Sequence, residues 1–257
     1  MLGAADARWS LAGSVALVTG GGRGLGEGCA RALAEAGATV VVAARSSEDV
    51  DRVVAEIGAN GGTAHAHSAD VTDEGQVSRL VATARELGPL KVCVNCAGTN
   101  RPGPARDYPL SDWDALFEVN VRGTFLVCRA FGDALLEEDT PGSIVNMSSQ
   151  MGTVGYPGRV AYCATKHAVE GITKALGVEW APYGIRVNAV APTFVETPMT
   201  RPMLADPEFG AEIRRRIPTG EMATVEQVAD ATRYLACDAS GSVTGTTLRV
   251  DGGWTAW

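Results

Sequence analysis

The 257-residue chain lacks any apolar run of 18 residues and any charged leader followed by an apolar stretch. Neither a membrane span nor a secretory signal is therefore expected, which favours a soluble cytoplasmic protein. Basic residues are also few: 22 Lys and Arg stand against 30 Asp and Glu, a formal net charge of -8. The one basic cluster, Arg214 to Arg216, is short and lies in a helix-like segment. Nucleic-acid binding through a basic face is disfavoured. Histidine is scarce, and His65, His67 and His167 are too dispersed for a metal site, so none is expected. Cys93 and Cys96 form a C-x-x-C in the apolar "KVCVNCAG", but no second pair follows. Free structural thiols are the better reading there than redox or zinc chemistry.

What the chain has is apolar content, 46% of its residues, and a regular rhythm. A chain of this length and composition can bury a sizeable core. Strands are expected at 15–19, 39–44, 63–70, 91–95, 143–148, 185–191 and 246–250. Helices are expected at 26–37, 47–62, 73–88, about 111–138, about 160–181 and 224–237, with Asp73 a cap. Strands separated by helices imply crossovers and a mostly parallel sheet. The expected fold is α/β, one doubly wound Rossmann-type domain over 1–257 with about seven strands. The segment at about 193–222, rich in Pro, Met and Arg, is the candidate substrate lid.

The first strand runs into "TGGGRGLG", Thr19 to Gly26, and then a helix. Glycines let the backbone turn sharply and approach a pyrophosphate, and the helix N-terminus offers free N–H groups. The spacing T-G-x3-G-x-G (Thr19, Gly20, Gly24, Gly26) resembles that of the short-chain dehydrogenase/reductase family. Further motifs follow in order: Asp70-Val71 after strand three, "NCAG" (Asn95 to Gly98), "EVNVRG" around Asn120, "SIVNMSSQMG", and "YCATK" carrying Tyr162 and Lys166. The resemblance covers about residues 11–254. Cys96 stands where the family has a second Asn.

The resemblance implies a nicotinamide dinucleotide held by Gly20, Gly22, Arg23, Gly24, Leu25, Gly26, Arg45, Ser46, Asp70, Val71, Asn95, Ala97, Gly98, Tyr162, Lys166, Pro192, Thr193, Val195 and Thr197. A carboxylate ending strand two suits NAD, whereas an arginine suits the 2′-phosphate of NADP. Arg45 stands there and Arg23 lies in the turn, so NADP(H) is expected over NAD(H). Thr193 replaces a common glycine, and because Thr resists positive φ, a different local loop path is expected.

For catalysis, the resemblance assigns Tyr162 as general acid/base. Lys166, one turn along the same helix face, would lower its pKa and bind the nicotinamide ribose. Ser149, 13 residues before Tyr162, is the better candidate to bind the substrate oxygen. Ser148 would hydrogen-bond backbone, and Asn120 would hold a water linking Lys166 to solvent. Gln150, Met151, Tyr156, Thr193, Phe194, Met199, Met203 and Leu204 are candidates to face the substrate. The implied reaction is hydride transfer between nicotinamide and a carbonyl or secondary alcohol, on a sugar or polyol, a 3-oxoacyl thioester, or a cyclic or xenobiotic ketone. A non-catalytic NADP sensor or structural subunit is the alternative of another class. Family members are commonly homotetramers or homodimers, and Trp254 and Trp257 could pack at such an interface or within the chain.

Overall fold

A computed structural model describes residues 7–257. Seven parallel strands form one sheet: β1 (Val15–Thr19), β2 (Thr39–Ala44), β3 (Thr63–Ser68), β4 (Leu90–Asn95), β5 (Gly142–Met147), β6 (Ile185–Pro192) and β7 (Thr247–Val250). Their spatial order is β3-β2-β1-β4-β5-β6-β7. The order reverses between β1 and β4, the switch point at which doubly wound sheets open a crevice beyond their carboxyl ends. Strand β3 occupies an edge and is mostly exposed, whereas β1 and β5 are buried throughout. A parallel sheet covered on both faces buries its central strands on both sides.

Alternate residues of each strand point to opposite faces. Ala16 and Val18 enter one core with Leu33, Val53 and Leu235, and Val15 and Leu17 enter the other with Leu80, Phe131 and Leu135. The first face is covered by α1 (Gly24–Glu35), α2 (Ser47–Ala59) and α9 (Val225–Ala236). The second is covered by α3 (Glu74–Glu86), α5 (Thr124–Glu137) and α6 (Val160–Glu179). Asp73 caps α3 by accepting from the Gln76 N–H at 2.9 Å.

The expected helix at 111–138 is interrupted. It is α4 (Leu110–Phe117), a wide π-type turn over Glu118–Gly123, and α5. Gly123 sits against Val71, where a Cβ would lie 2.7 Å from a Val71 methyl, and the Thr124 hydroxyl donates to the Asn120 carbonyl at 2.8 Å. Such turns locally re-aim side chains, frequently at functional sites. The 193–222 segment holds α7 (Arg201–Leu204) and α8 (Pro207–Arg216), the latter capped by Asp206.

One row of polar side chains crosses the sheet near its carboxyl edge. Thr19 registers with Asn95, and Asn95 with Asn146. The Asn95 side-chain amide donates to the Asn146 carboxamide oxygen at 2.9 Å, and the Asn146 side-chain amide donates to the Thr173 hydroxyl of α6 at 3.0 Å. Asn146 is fully buried, so its loss strands both neighbours. We expect Asn146→Ala to destabilise the protein by roughly 2–4 kcal/mol, read as a lower urea midpoint. An unchanged midpoint would contradict a structural role for the row.

Candidate active site

The glycine turn follows β1, Asp70 and Val71 follow β3, Ala97 and Gly98 follow β4, and Ser148 and Ser149 follow β5, all at the carboxyl edge of the sheet. Gly20 leaves β1 at φ +64°, and a Cβ there would stand 2.6 Å from the Ala97 nitrogen. A Cβ on Gly26 would strike the Gly20 carbonyl oxygen. Gly22 is equally tight against the Asp49 side chain, and Leu25 packs onto the adjoining core. The first N–H groups of a helix have no intrahelical acceptor. Ser46, Asp73 and Thr224 cap their own helices, but Arg23, at the N-cap of α1, provides no side-chain cap. An uncapped helix start behind a tight glycine turn fits a dinucleotide pyrophosphate.

Around this turn, Arg23 and Arg45 are exposed and neither forms an ion pair among the described residues. Ser46 lies beside Arg45, its hydroxyl accepting from the Asp49 N–H at 3.2 Å. The Asp70 carboxylate accepts from the Thr72 N–H at 3.0 Å and hydroxyl at 2.8 Å, and Val71 is buried. Thr197 stands against Gly24, 3.4 Å from where its Cβ would lie, so the 192–198 loop closes on the turn. Beyond Pro192, the last residue of β6, Thr193 donates to the Val250 carbonyl at 3.2 Å. Thr193 does not take a left-handed φ, since Asp139 is the one such non-glycine among the described residues. Val195 bridges to Ala223.

Sequence reasoning missed what braces the turn. The Arg52 guanidinium donates to the Gly22 carbonyl at 2.9 Å and pairs with Glu27 at 2.8 Å and Glu56 at 3.1 Å. Burial opposes ionisation of Glu27, but hydrogen bonds from Arg52 and Arg31 outweigh it and hold its carboxyl below the usual range. The i,i+4 pairs Glu27/Arg31 and Arg52/Glu56 were a readable signal.

Two predicted residues are engaged by the protein itself. The Asn95 side chain faces the core row rather than the crevice, because its register neighbours on both strands are its hydrogen-bond partners. Asn120 clamps the loop after β4: its carboxamide oxygen accepts from the Thr99 N–H at 2.8 Å and its nitrogen donates to the Thr99 carbonyl at 2.9 Å. The same nitrogen donates to the Thr165 hydroxyl at 3.1 Å, which ties the loop to α6. Gly98 is held against it.

At the end of β5, the Ser148 hydroxyl donates to the buried Glu170 carboxylate at 2.5 Å, not to backbone as expected. Ser149 turns the other way, its oxygen accepting from the Met151 N–H at 3.2 Å, and lies beside the Tyr162 phenol. Burial pushes that phenol up to about 12, partly offset by contact with Ser149 and by the Arg159 charge. Lys166 does not produce the expected depression. Its ammonium stands over the face of the Tyr162 ring, 5.5 Å from the centroid, and donates to the Met147 carbonyl at 2.7 Å. Burial lowers Lys166 to about 8, against the opposing pull of Cys96 and Glu170.

The space beyond Tyr162 has an aromatic wall. Met151, Phe194, Ile213 and Ile217 pack with Tyr156, Tyr162, Phe209 and Trp254. Trp254 lies 6.0 Å from Phe194 within the same chain, under the Arg216 guanidinium, while Trp257 is exposed. Gln150 is 1% exposed, with both amide atoms lacking a protein partner among the described residues. Met199 is exposed, and the Met203 sulfur meets Arg159.

A family model described as enoyl-(acyl carrier protein) reductase matches residues 20–255. A D-threitol dehydrogenase of Mycolicibacterium smegmatis is 39% identical over 97% of this chain and 96% of its own length. A galactitol 2-dehydrogenase of Rhizobium johnstonii is 41% identical over 97% and 98%. The crystal structure of a gluconate 5-dehydrogenase from Burkholderia cenocepacia, in complex with NADP and tartrate, is 35% identical. It superposes with a TM-score of 0.94, covering 98% of this chain and 99% of that one. With this sheet order, glycine turn and Ser-Tyr-Lys grouping, the chain is an oxidoreductase and belongs to the short-chain dehydrogenase/reductase family.

Proposed function

We propose that the protein interconverts a secondary alcohol and a ketone of a sugar or polyol, using NADP(H). The observation that carries this reading is the Tyr162 phenol beside Ser149 with the Lys166 ammonium over its ring, in a chain whose glycine turn leads into the uncapped start of α1. The dehydrogenase names of the relatives support the substrate class, and NADP in the gluconate 5-dehydrogenase structure supports the coenzyme.

The backbone N–H groups at the start of α1 hold the pyrophosphate, and Arg23 and Arg45 meet the 2′-phosphate. When bound, the coenzyme supplies or accepts the hydride. Ser149 binds the substrate oxygen. Tyr162, protonated at neutral pH, gives its proton to the alkoxide that forms on reduction and recovers it from the alcohol on oxidation. Lys166 orients the ribose and passes a proton to Tyr162, regaining one from solvent so that each reduction consumes one solvent proton. Asn120 acts by fixing the loop at Thr99 and the α6 backbone near Tyr162. Segment 193–222 serves as the lid of one catalytic domain. The exposed Phe125, Val160 and Val178 on α5 and α6 support a homotetramer or homodimer. Among the described residues, no helix is long and apolar enough to cross a membrane.

The test is a panel of alditols, aldonates and their keto forms with NADP and NAD in both directions, with 3-oxoacyl thioesters alongside. We expect turnover of a polyhydroxy compound, faster with NADP. Coenzyme binding without turnover of any member would favour the sensor, and faster turnover of a thioester would overturn the substrate class. The lowered Lys166 gives a second expectation. Binding a ribose and phosphates favours its charged form, so coenzyme binding takes up a proton above about pH 8. Affinity for NADPH, followed by fluorescence, falls as pH rises from about 7 to about 9, and this slope disappears in Lys166→Met. A slope unchanged in the variant would contradict the role.

A further inference from the structure

The side chain of Arg159 is a buried charge that the reaction described above does not use. It stands at the N-cap of α6, three positions before Tyr162, and is only 6% exposed. No carboxylate among the described residues pairs with it: its Nη1 has no hydrogen-bond partner, and its Nη2 meets only the Met203 thioether, at 2.7 Å. A thioether is a weak acceptor. Buried charges are ordinarily paired, because desolvation otherwise goes uncompensated. The geometry sets Arg159 at the start of the helix that carries Tyr162, its backbone N–H donating to the Tyr156 carbonyl at 3.2 Å and its guanidinium against Met203 of the lid segment, and Tyr156, Tyr162, Cys163 and Tyr108 feel its charge. Burial accordingly lowers Arg159 from its ordinary value. Gln150 adds a buried amide with both atoms unsatisfied, next in sequence to Ser149. Exposed arginines without a carboxylate, such as Arg23 and Arg45, stand in solvent, whereas Arg159 is buried without one.

We propose that Arg159 binds a carboxylate of the substrate, so that the enzyme acts on a polyhydroxy acid rather than on a neutral polyol. A guanidinium fork matches a carboxylate through two parallel N–H···O bonds. The acid end sits at Arg159 and Met203, the reacting carbon at Ser149 and Tyr162, and the hydroxyls between them meet Gln150. The lid thus takes part in recognition, because Met203 of α7 is the present neighbour of the guanidinium and is displaced or stacked when an acid arrives. The inference rests on the hydride-transfer reading only for which carbon reacts; the carboxylate site stands on Arg159 alone.

The experiment compares D-gluconate with D-glucitol, its neutral counterpart, on the NADP-loaded protein. Calorimetry measures binding, and steady-state kinetics measures kcat/KM, for the wild type, Arg159→Gln, Arg159→Lys and Arg159→Met. We expect wild-type protein to bind gluconate, and Arg159→Gln to lose about 10²-fold or more in gluconate affinity and kcat/KM. Its loss on glucitol is expected to be at least about tenfold smaller, with Arg159→Lys intermediate because it keeps charge but not the fork. Arg159→Met, which removes an unpaired buried charge beside Met203, should unfold at a temperature no lower than wild type. Arg159-dependent gluconate binding without turnover of any sugar compound would leave this proposal standing while the sugar-substrate reading fails. Wild-type protein that binds no carboxylate, a sugar phosphate bound in its place, equal losses on gluconate and glucitol, or a marked drop in the Arg159→Met unfolding temperature would each overturn it.

Discussion

The site depends on burying a phenol and an ammonium one helical turn apart under the end of a parallel sheet. Burial opposes ionisation of both, so Tyr162 moves up and Lys166 down, each toward its neutral form. The Met147 carbonyl at the end of β5 fixes the ammonium, which leaves the phenolic oxygen free to face Ser149. The pair is therefore a held proton and a held cation rather than a phenolate already formed. A proton held in this way suits delivery to an alkoxide, a charge that arises only as the carbonyl is reduced.

Such a pair requires a rigid surround, and two devices provide it. The polar row Thr19–Asn95–Asn146–Thr173 locks the carboxyl ends of β1, β4 and β5 to α6. The Glu170 carboxylate ties the same helix to the end of β5 through Ser148 and to β7 through Thr247. Across the crevice, Arg52 holds the glycine turn by a carbonyl, so the anion-binding N–H groups and the proton-transfer pair are each braced from behind.

Much of the fold was readable because strand cores and helix caps are local signals. The runs at 15–19 and 39–44 match β1 and β2 residue for residue, and Asp73 caps α3 as its position implied. The π-type turn before α5 left no such trace, since Asn120 is aimed by Gly123 packing on Val71, a contact 52 positions distant in sequence. Motif spacing does not say which way a side chain points. Asn95 and Asn120 could have faced a ligand or the protein, and hydrogen bonds to other strands and loops decided for the protein. Lys166 was expected to act on the phenolic oxygen, whereas its reach to Met147 sets it over the ring. Arg159 went unnoticed because having no partner is a tertiary property.

The account turns on Tyr162 being the group that moves the proton, and Tyr162→Phe removes that hydroxyl while keeping the ring under Lys166. It predicts a loss of about 10²–10⁴-fold in kcat with NADPH affinity kept within a few-fold, measured on one preparation by turnover and coenzyme fluorescence. Turnover retained by Tyr162→Phe would contradict it.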